Sequence, residues 1–338
     1  MPRSTTHINP AIGVTTGDPA GIGPEVSLRA ASDCTLRGDL RLVLFGDFEI
    51  LRKQAGALDL PFDFARIALS ELSGSLPERA VVDVPARREA ISPGKGSAEG
   101  GAAAARNVIE CAQACRSGRL AAMVTAPLNK TYLKQAGYPF PGHTELLAHL
   151  SGVERFAMAF LTERLKVVLA TIHLPLRMAI EQLTTRLVLE KLSILLREFP
   201  RLGLPCRRVA VAGVNPHAGE NGLLGTEDGD IIGPAVREAR ATFPAAAIEG
   251  PLPADTVFYR ATNGEFDAVL ALFHDQGLSP IKLIGFGEAV NVTLGLPFVR
   301  TSVDHGTAFD IAGKGIARPQ SMISAIRWAL RLSKQEKP

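Results

Sequence analysis

Three histidines, His173, His217 and His274, each follow an apolar run that ends in a turn; the runs span 166–171, 208–214 and 268–273. Neutral imidazole suits zinc and related divalent ions, and three protein ligands leave a position open for substrate. A single histidine fits a structural role as readily as a ligating one. Three at equivalent strand ends point to a shared site, although spacing leaves open whether they converge. His143, in Pro141-Gly142-His143-Thr144-Glu145, stands where a helix is expected to begin, a place that suits either an anion or an ordinary helix start. His149 on the following helix reads as structural, and His7 in the N-terminal tail carries no chemistry.

The elements that must position these residues alternate short apolar strands with longer amphipathic segments. Strands are expected at 11–16, 41–46, 121–126, 166–171, 208–214 and 268–273. A helix is expected near Pro24-Glu25, where proline and a carboxylate suit the first turn. The stretch from 85 to 101 reads as a loop before a helix that runs through Cys115. Continuous apolar strands imply burial on both faces of a sheet, and the intervening helices imply an α/β fold. In such sheets ligands gather at the C-terminal edge, where the histidines fall.

Composition narrows the classes. With 37 basic and 34 acidic residues in 338, the net charge of +3 is small and scattered, so nucleic acid binding has little support. Cys34, Cys111, Cys115 and Cys206 form no Cys-x-x-Cys pair and read as reduced, structural thiols. Residues 1–23 lack the apolar core of a signal peptide, and no apolar run reaches membrane-spanning length; a soluble, cytoplasmic protein is expected. Gly17, Gly21 and Gly23 do not make G-x-G-x-x-G, and Gly94-Lys95-Gly96-Ser97 lacks P-loop spacing.

Two further segments carry a resemblance. Gly21-Ile22-Gly23-Pro24-Glu25-Val26 resembles the opening motif of the isocitrate and isopropylmalate dehydrogenases, and the run from His305 to Ala317 resembles their adenosine-binding loop. The resemblance implies a two-lobed α/β fold with a cleft between the lobes. One lobe would comprise 1–130 with 285–338, on the cofactor side; the other, 131–284, would bind metal and dimerise. It also implies that His305, Gly306, Thr307, Ala308 and Asp310 hold the cofactor. Asp310 stands where a carboxylate meets the ribose hydroxyls and repels a 2′-phosphate, which argues for NAD. Arg318 departs from the asparagine usual in the isopropylmalate enzymes.

That superfamily commonly binds metal through aspartates, whereas this sequence offers histidines. With the segments 16–25, 142–145, 171–177, 215–220, 251–256, 274–278 and 291–302, it resembles one branch, the 4-hydroxythreonine-4-phosphate dehydrogenases of pyridoxal phosphate biosynthesis. The resemblance implies that His173, His217 and His274 bind zinc, or magnesium or cobalt, at a homodimer interface. His143, Thr144, Lys282, Asn291 and Arg300 would contact the phosphorylated substrate. Lys282 and Arg300 suit phosphate as a point charge and a planar fork; without the motif both would read as solvated surface residues. Asp255 and Asp275 are the general-base candidates, with His143 a third.

The implied reaction oxidises 4-phosphohydroxy-L-threonine to a β-keto acid that loses carbon dioxide, giving 3-amino-2-oxopropyl phosphate. The rival within the branch is a dehydrogenase of a sugar-acid phosphate such as 4-phospho-D-erythronate, of which the segment 281–286 has some flavour. A relative acting on aromatic dihydrodiol dicarboxylates fits Lys282 and Arg300 less well. A zinc hydrolase would leave the Asp310 loop unexplained, and a metal scaffold without catalysis has little behind it.

Overall fold

Runs of Val, Leu, Ile and Ala whose residues are buried along nearly their whole length form the strands that carry the candidate residues. The computed structural model describes residues 9–72 and 76–334; His7 lies outside them. In chain order, β1 (Ala11–Thr15), α1 (Gly23–Ala31), β2 (Arg41–Gly46), α2 (Phe48–Ala57), β3 (Ala65–Ile67) and β4 (Arg79–Asp83) come first. Next are α3 (Ala98–Arg116), β5 (Ala122–Thr125), α4 (Lys130–Gln135) and α5 (His143–Ser151). The middle of the chain forms β6 (Ala157–Leu161), β7 (Lys166–Leu169), α6 (Leu176–Gln182), α7 (Thr185–Arg201), β8 (Arg208–Ala212) and α8 (Gly233–Thr242). It continues with β9 (Ala247–Leu252), α9 (Ala254–Thr262), β10 (Ala268–Ala271), α10 (His274–Gly285) and β11 (Val290–Leu294). The chain ends on β12 (Val299–Ser302) and α11 (Gln320–Ser333).

The chain packs as two units, Met1–Gly152 with Pro297–Lys334, and Val153–Leu296. In the first, the strands run β3-β4-β2-β1-β5-β12, all parallel. In the second the order is β11-β6-β7-β10-β8-β9. There β11, β6 and β7 pair antiparallel, while β7, β10, β8 and β9 run parallel. The expected α/β class is what the chain adopts. The second unit's core lies between β6, β7, β8 and β10 and the helices α9 and α10, with Val167, Leu169, Ala210, Val257, Val269 and Ile281 at its centre.

The unit limits differ from those expected at 130 and 285. Helix α5 stays with the first unit, where Arg116 at the end of α3 donates to Leu150 O. Strand β11 stays with the second, because it pairs with β6 in a register that sets Asn291 opposite Phe160. The loop expected to reach residue 101 ends earlier. Ser97 Oγ accepts from Gly100 N at 3.1 Å and starts α3 at Ala98. Cys111 and Cys115 are buried on that helix, all four thiols are free, and burial pushes the Cys206 thiol up to about 12. No helix among the described residues is long and apolar enough to cross a membrane.

Candidate active site

In the second unit β7, β10 and β8 are neighbours and all run parallel, so the segments bearing His173, His274 and His217 leave the same sheet edge. Hydrogen bonds tie these strand ends together. Thr171 Oγ1 donates to Leu272 O at 2.8 Å, and Ala170 N to Ala271 O at 2.8 Å. Gln276 then spans to the third strand: its Oε1 accepts from Leu272 N and its Nε2 donates to Gly213 O, both at 2.7 Å.

His173 and His274 come together. Their ring centroids lie 5.5 Å apart, and both line a cavity of about 250 Å³ with Thr171, Leu174, Phe273 and Asp275. His274 Nδ1 sits 2.8 Å from Asp275 Oδ1. A carboxylate there fixes the tautomer with the proton on Nδ1 and leaves Nε2 as a donor to a metal. His217 does not join this cavity, and among the described residues no group of three His, Cys, Asp or Glu side chains is placed to hold a metal ion. Asp255, in the first turn of α9, is exposed and lines no part of it.

His217 opens a left-handed turn. His217, Ala218, Gly219, Glu220, Asn221 and Gly222 all have positive φ, from 44° to 93°. Left-handed backbone is disfavoured by roughly 1–2 kcal/mol for each non-glycine residue, so surrounding contacts must hold the segment. Asp228, 1% exposed, does much of this: its Oδ1 accepts from Val214 N at 2.8 Å and its Oδ2 from Asn215 N at 3.0 Å. Gly219 allows the close approach, since a Cβ there would meet Gly225 O at 2.8 Å. His173, at φ 46°, is left-handed too. Strained backbone of this kind gathers at functional sites.

The first unit holds a separate cluster of cationic and hydrogen-bonding groups. Arg300, on β12 beside β5, is 2% exposed, and its Nη2 donates to Thr125 Oγ1 at 2.6 Å. Burial lowers its guanidinium to about 10, with Glu145 opposing the shift. His143 and the buried Thr144 begin α5, whose first amides lack helical acceptors. His143 Nε2 is buried and has no hydrogen-bond partner. Burial, with Arg300 and then Lys130 adding to it, holds the imidazole well below its usual range. Lys282, exposed on α10, and Asn291, whose Oδ1 is buried without a partner, belong to the other unit.

The two segments that resemble the cofactor-binding motifs touch each other. Ile22 N donates to Thr307 O at 3.0 Å, and Glu25 Oε1 accepts from Ala317 N at 3.0 Å. Arg29 Nη2 adds a bond to Gly315 O at 2.7 Å. Ala308 turns left-handed at φ 41°, and Asp310 is exposed. His305 Nδ1 lies 3.1 Å from Gly306 O, and its Nε2 is buried without a partner.

Residues 39–329 match the model of the family described as "Pyridoxal phosphate biosynthetic protein PdxA". The chain belongs to the PdxA family. It is 43% identical, over 95% of its length and 98% of the relative's, to the D-threonate 4-phosphate dehydrogenase of Salmonella typhimurium. It is 42% identical to the 4-hydroxythreonine-4-phosphate dehydrogenase of Synechocystis sp., covering 96% of each chain. The crystal structure of 4-hydroxythreonine-4-phosphate dehydrogenase from Klebsiella pneumoniae superposes with a TM-score of 0.88 at 42% identity, covering 96% of this chain and all of that one. These PdxA relatives are dehydrogenases, which sets the hydrolase alternative aside.

Three features of this PdxA chain escaped the sequence. Asp228 and Gln276 hold the His217 and His274 segments but were not singled out as site residues, since a carboxylate or amide gives no spacing signal when its partners are backbone groups. Lys130 follows β5 in an ordinary-looking Pro-Leu-Asn-Lys run, yet its charge reaches His143. The left-handed turn at 217–222 was signalled only by Gly219 and Gly222, as glycine tolerates positive φ.

Proposed function

We propose that this chain oxidises the C3 hydroxyl of 4-phosphohydroxy-L-threonine with NAD as electron acceptor. Carbon dioxide is then lost, giving 3-amino-2-oxopropyl phosphate for pyridoxal 5′-phosphate synthesis. The observation that carries the reading is the His173–His274 pair in one cavity at the C-terminal edge of adjacent parallel strands. Two neutral nitrogen donors fit a divalent ion of the zinc type, and magnesium or cobalt are the alternatives. His217 would complete the protein ligands, and the family resemblance makes that a site shared between two copies of the chain. Such an ion, when bound, polarises the C3 oxygen and the ketone that follows.

The chain's own residues divide the remaining tasks. His143, Thr144 and Arg300 of the first unit receive the phosphate, and the family resemblance assigns Lys282 and Asn291 to the substrate as well. Asp275 is committed to His274, which leaves Asp255 and His143 as the candidates to take the hydroxyl proton. His305, Gly306, Thr307, Ala308 and Asp310 hold the adenosine end of NAD, and the Asp310 carboxylate disfavours a 2′-phosphate. The second unit exposes Leu176, Met178, Leu223, Leu283 and Phe286, apolar side chains that a second copy of the chain would cover in a homodimer. We place the enzyme in the cytoplasm.

A second reading, oxidation of D-threonate 4-phosphate, is favoured by the Salmonella relative of that name. That acid carries a hydroxyl where the first substrate carries an amine at C2, and both present a C4 phosphate. Release of carbon dioxide from each substrate, labelled in its carboxyl group, tests the two. Release from neither would overturn the assignment.

A further inference from the structure

We propose that Lys130 is an additional ligand of the substrate's phosphate, completing the anion subsite formed by α5, His143 and Arg300. The inference rests on the phosphorylated-substrate reading above and deepens it.

The placement begins with β5. Its last residue, Thr125, is the partner of Arg300, and Lys130 opens α4 five residues later. Asn129 fixes that start, its Oδ1 accepting from Thr131 N at 3.0 Å and Tyr132 N at 3.1 Å. Helix α4 also lies close against α3, where a Cβ on Gly101 would meet Tyr132 O at 2.3 Å. Lys130 therefore leaves a well-anchored backbone.

Its side chain leans toward the start of α5. Lys130 Cε lies 3.7 Å from where a Cβ on Gly142, the residue before α5, would stand. The side chain thus reaches the residue that precedes the first amides of α5. Among the described residues Lys130 makes no hydrogen bond or ion pair. Glu145 Oε2 approaches the same point on Gly142, at 3.5 Å, without pairing to Lys130. The charges acting on His143 are Arg300 from β12 and Lys130 from α4, and Glu145 of α5 acts on Arg300.

Two cations beside an imidazole and a helix N-terminus outweigh the single carboxylate of Glu145 and favour a further anion. A phosphate monoester carries a charge of about −1.5 to −2, which Lys130 and Arg300 together balance. Lysine supplies a mobile point charge, while the buried arginine supplies a fixed fork. The partnerless His143 Nε2 and the α5 amides add directed hydrogen bonds to the same oxygens.

The test compares purified wild type, Lys130→Met and Lys130→Arg. Calorimetry measures binding of inorganic phosphate and of 4-phosphohydroxy-L-threonine, and NMR follows the His143 imidazole titration. Lys130→Met is expected to weaken both ligands by about tenfold, as for loss of one charged hydrogen bond. Its KM should rise more than kcat falls, and His143 should titrate higher once the neighbouring cation is gone. Lys130→Arg should keep most of the affinity. Unchanged phosphate affinity and an unchanged His143 titration in Lys130→Met would overturn the inference and leave the substrate reading standing. If wild type bound neither phosphate nor the phosphorylated acid, the substrate reading would fail and this inference with it.

Discussion

The imidazoles of His173 and His274 face one another across 5.5 Å, between ring centroids, although a hundred residues of chain separate them. Their strands β7 and β10 are hydrogen-bonded neighbours, and Thr171 locks the two strand ends at Leu272 O. A metal that uses both rings should lose affinity when either is removed. His173→Ala and His274→Ala are expected to weaken zinc binding by at least tenfold, measured by competition with a chromophoric chelator. His217→Ala should abolish turnover and retain the wild-type circular dichroism spectrum. Full activity of His217→Ala after chelation and dialysis would remove His217 from the site.

Asp228 should matter more for stability than its distance from the cavity suggests. Its two oxygens satisfy the amides of Val214 and Asn215 and hold the left-handed turn that begins at His217. Asp228→Ala leaves both part-buried donors unpaired, and a loss of about 1–3 kcal/mol in chemical denaturation is expected. Hydrogen exchange should rise first at 214–224. A loss below half a kcal/mol would mean the turn holds itself.

The His143 environment sets a pH dependence with a definite sign. Its folded value is depressed, because burial and the Arg300 and Lys130 charges disfavour the imidazolium. Between that depressed value and the ordinary imidazole value of about 6.5, the unfolded chain binds more protons than the folded one. Stability from this group is therefore present above about pH 6.5 and falls as pH drops through that window. His143→Gln should flatten this part of the stability profile. Adding inorganic phosphate to wild type should raise the His143 titration seen by NMR, since an anion favours the charged ring. A titration at the ordinary value without phosphate would contradict the geometry.

Leu283 and Phe286 are 87% and 81% exposed at the end of α10, and a homodimer would cover such side chains. Leu283→Glu with Phe286→Glu should shift a homodimer toward a monomer in analytical ultracentrifugation and reduce kcat at least tenfold, because the metal site proposed to be shared between two copies would lose its partner. An unchanged dimer would move the interface elsewhere on the molecule.

Much of the fold could be read from apolar runs. The strands at 41–46, 166–169, 208–212 and 268–271 lie inside the expected ones, because strands covered on both faces carry a signal in every residue. The delivery of His173, His217 and His274 to one sheet edge was legible for the same reason. Whether they meet was not: that depends on the conformations of the connecting turns, and two of the three histidines adopt left-handed backbone that their residue type does not advertise. The partition of β11 was also hidden, since its pairing with β6 is antiparallel and owes nothing to the alternating strand–helix pattern. Glu25 and Ala317 show the converse. Their motifs were recognised separately, and a hydrogen bond across 292 residues joins them.

The most direct test of the central claim is NADH formation by the purified protein. 4-Phosphohydroxy-L-threonine and D-threonate 4-phosphate would be compared side by side, with chelator and after restoring zinc. Chelator-sensitive turnover, regained with the metal and faster with 4-phosphohydroxy-L-threonine, is the expected result. Turnover of neither acid, or turnover indifferent to chelator, would contradict the account.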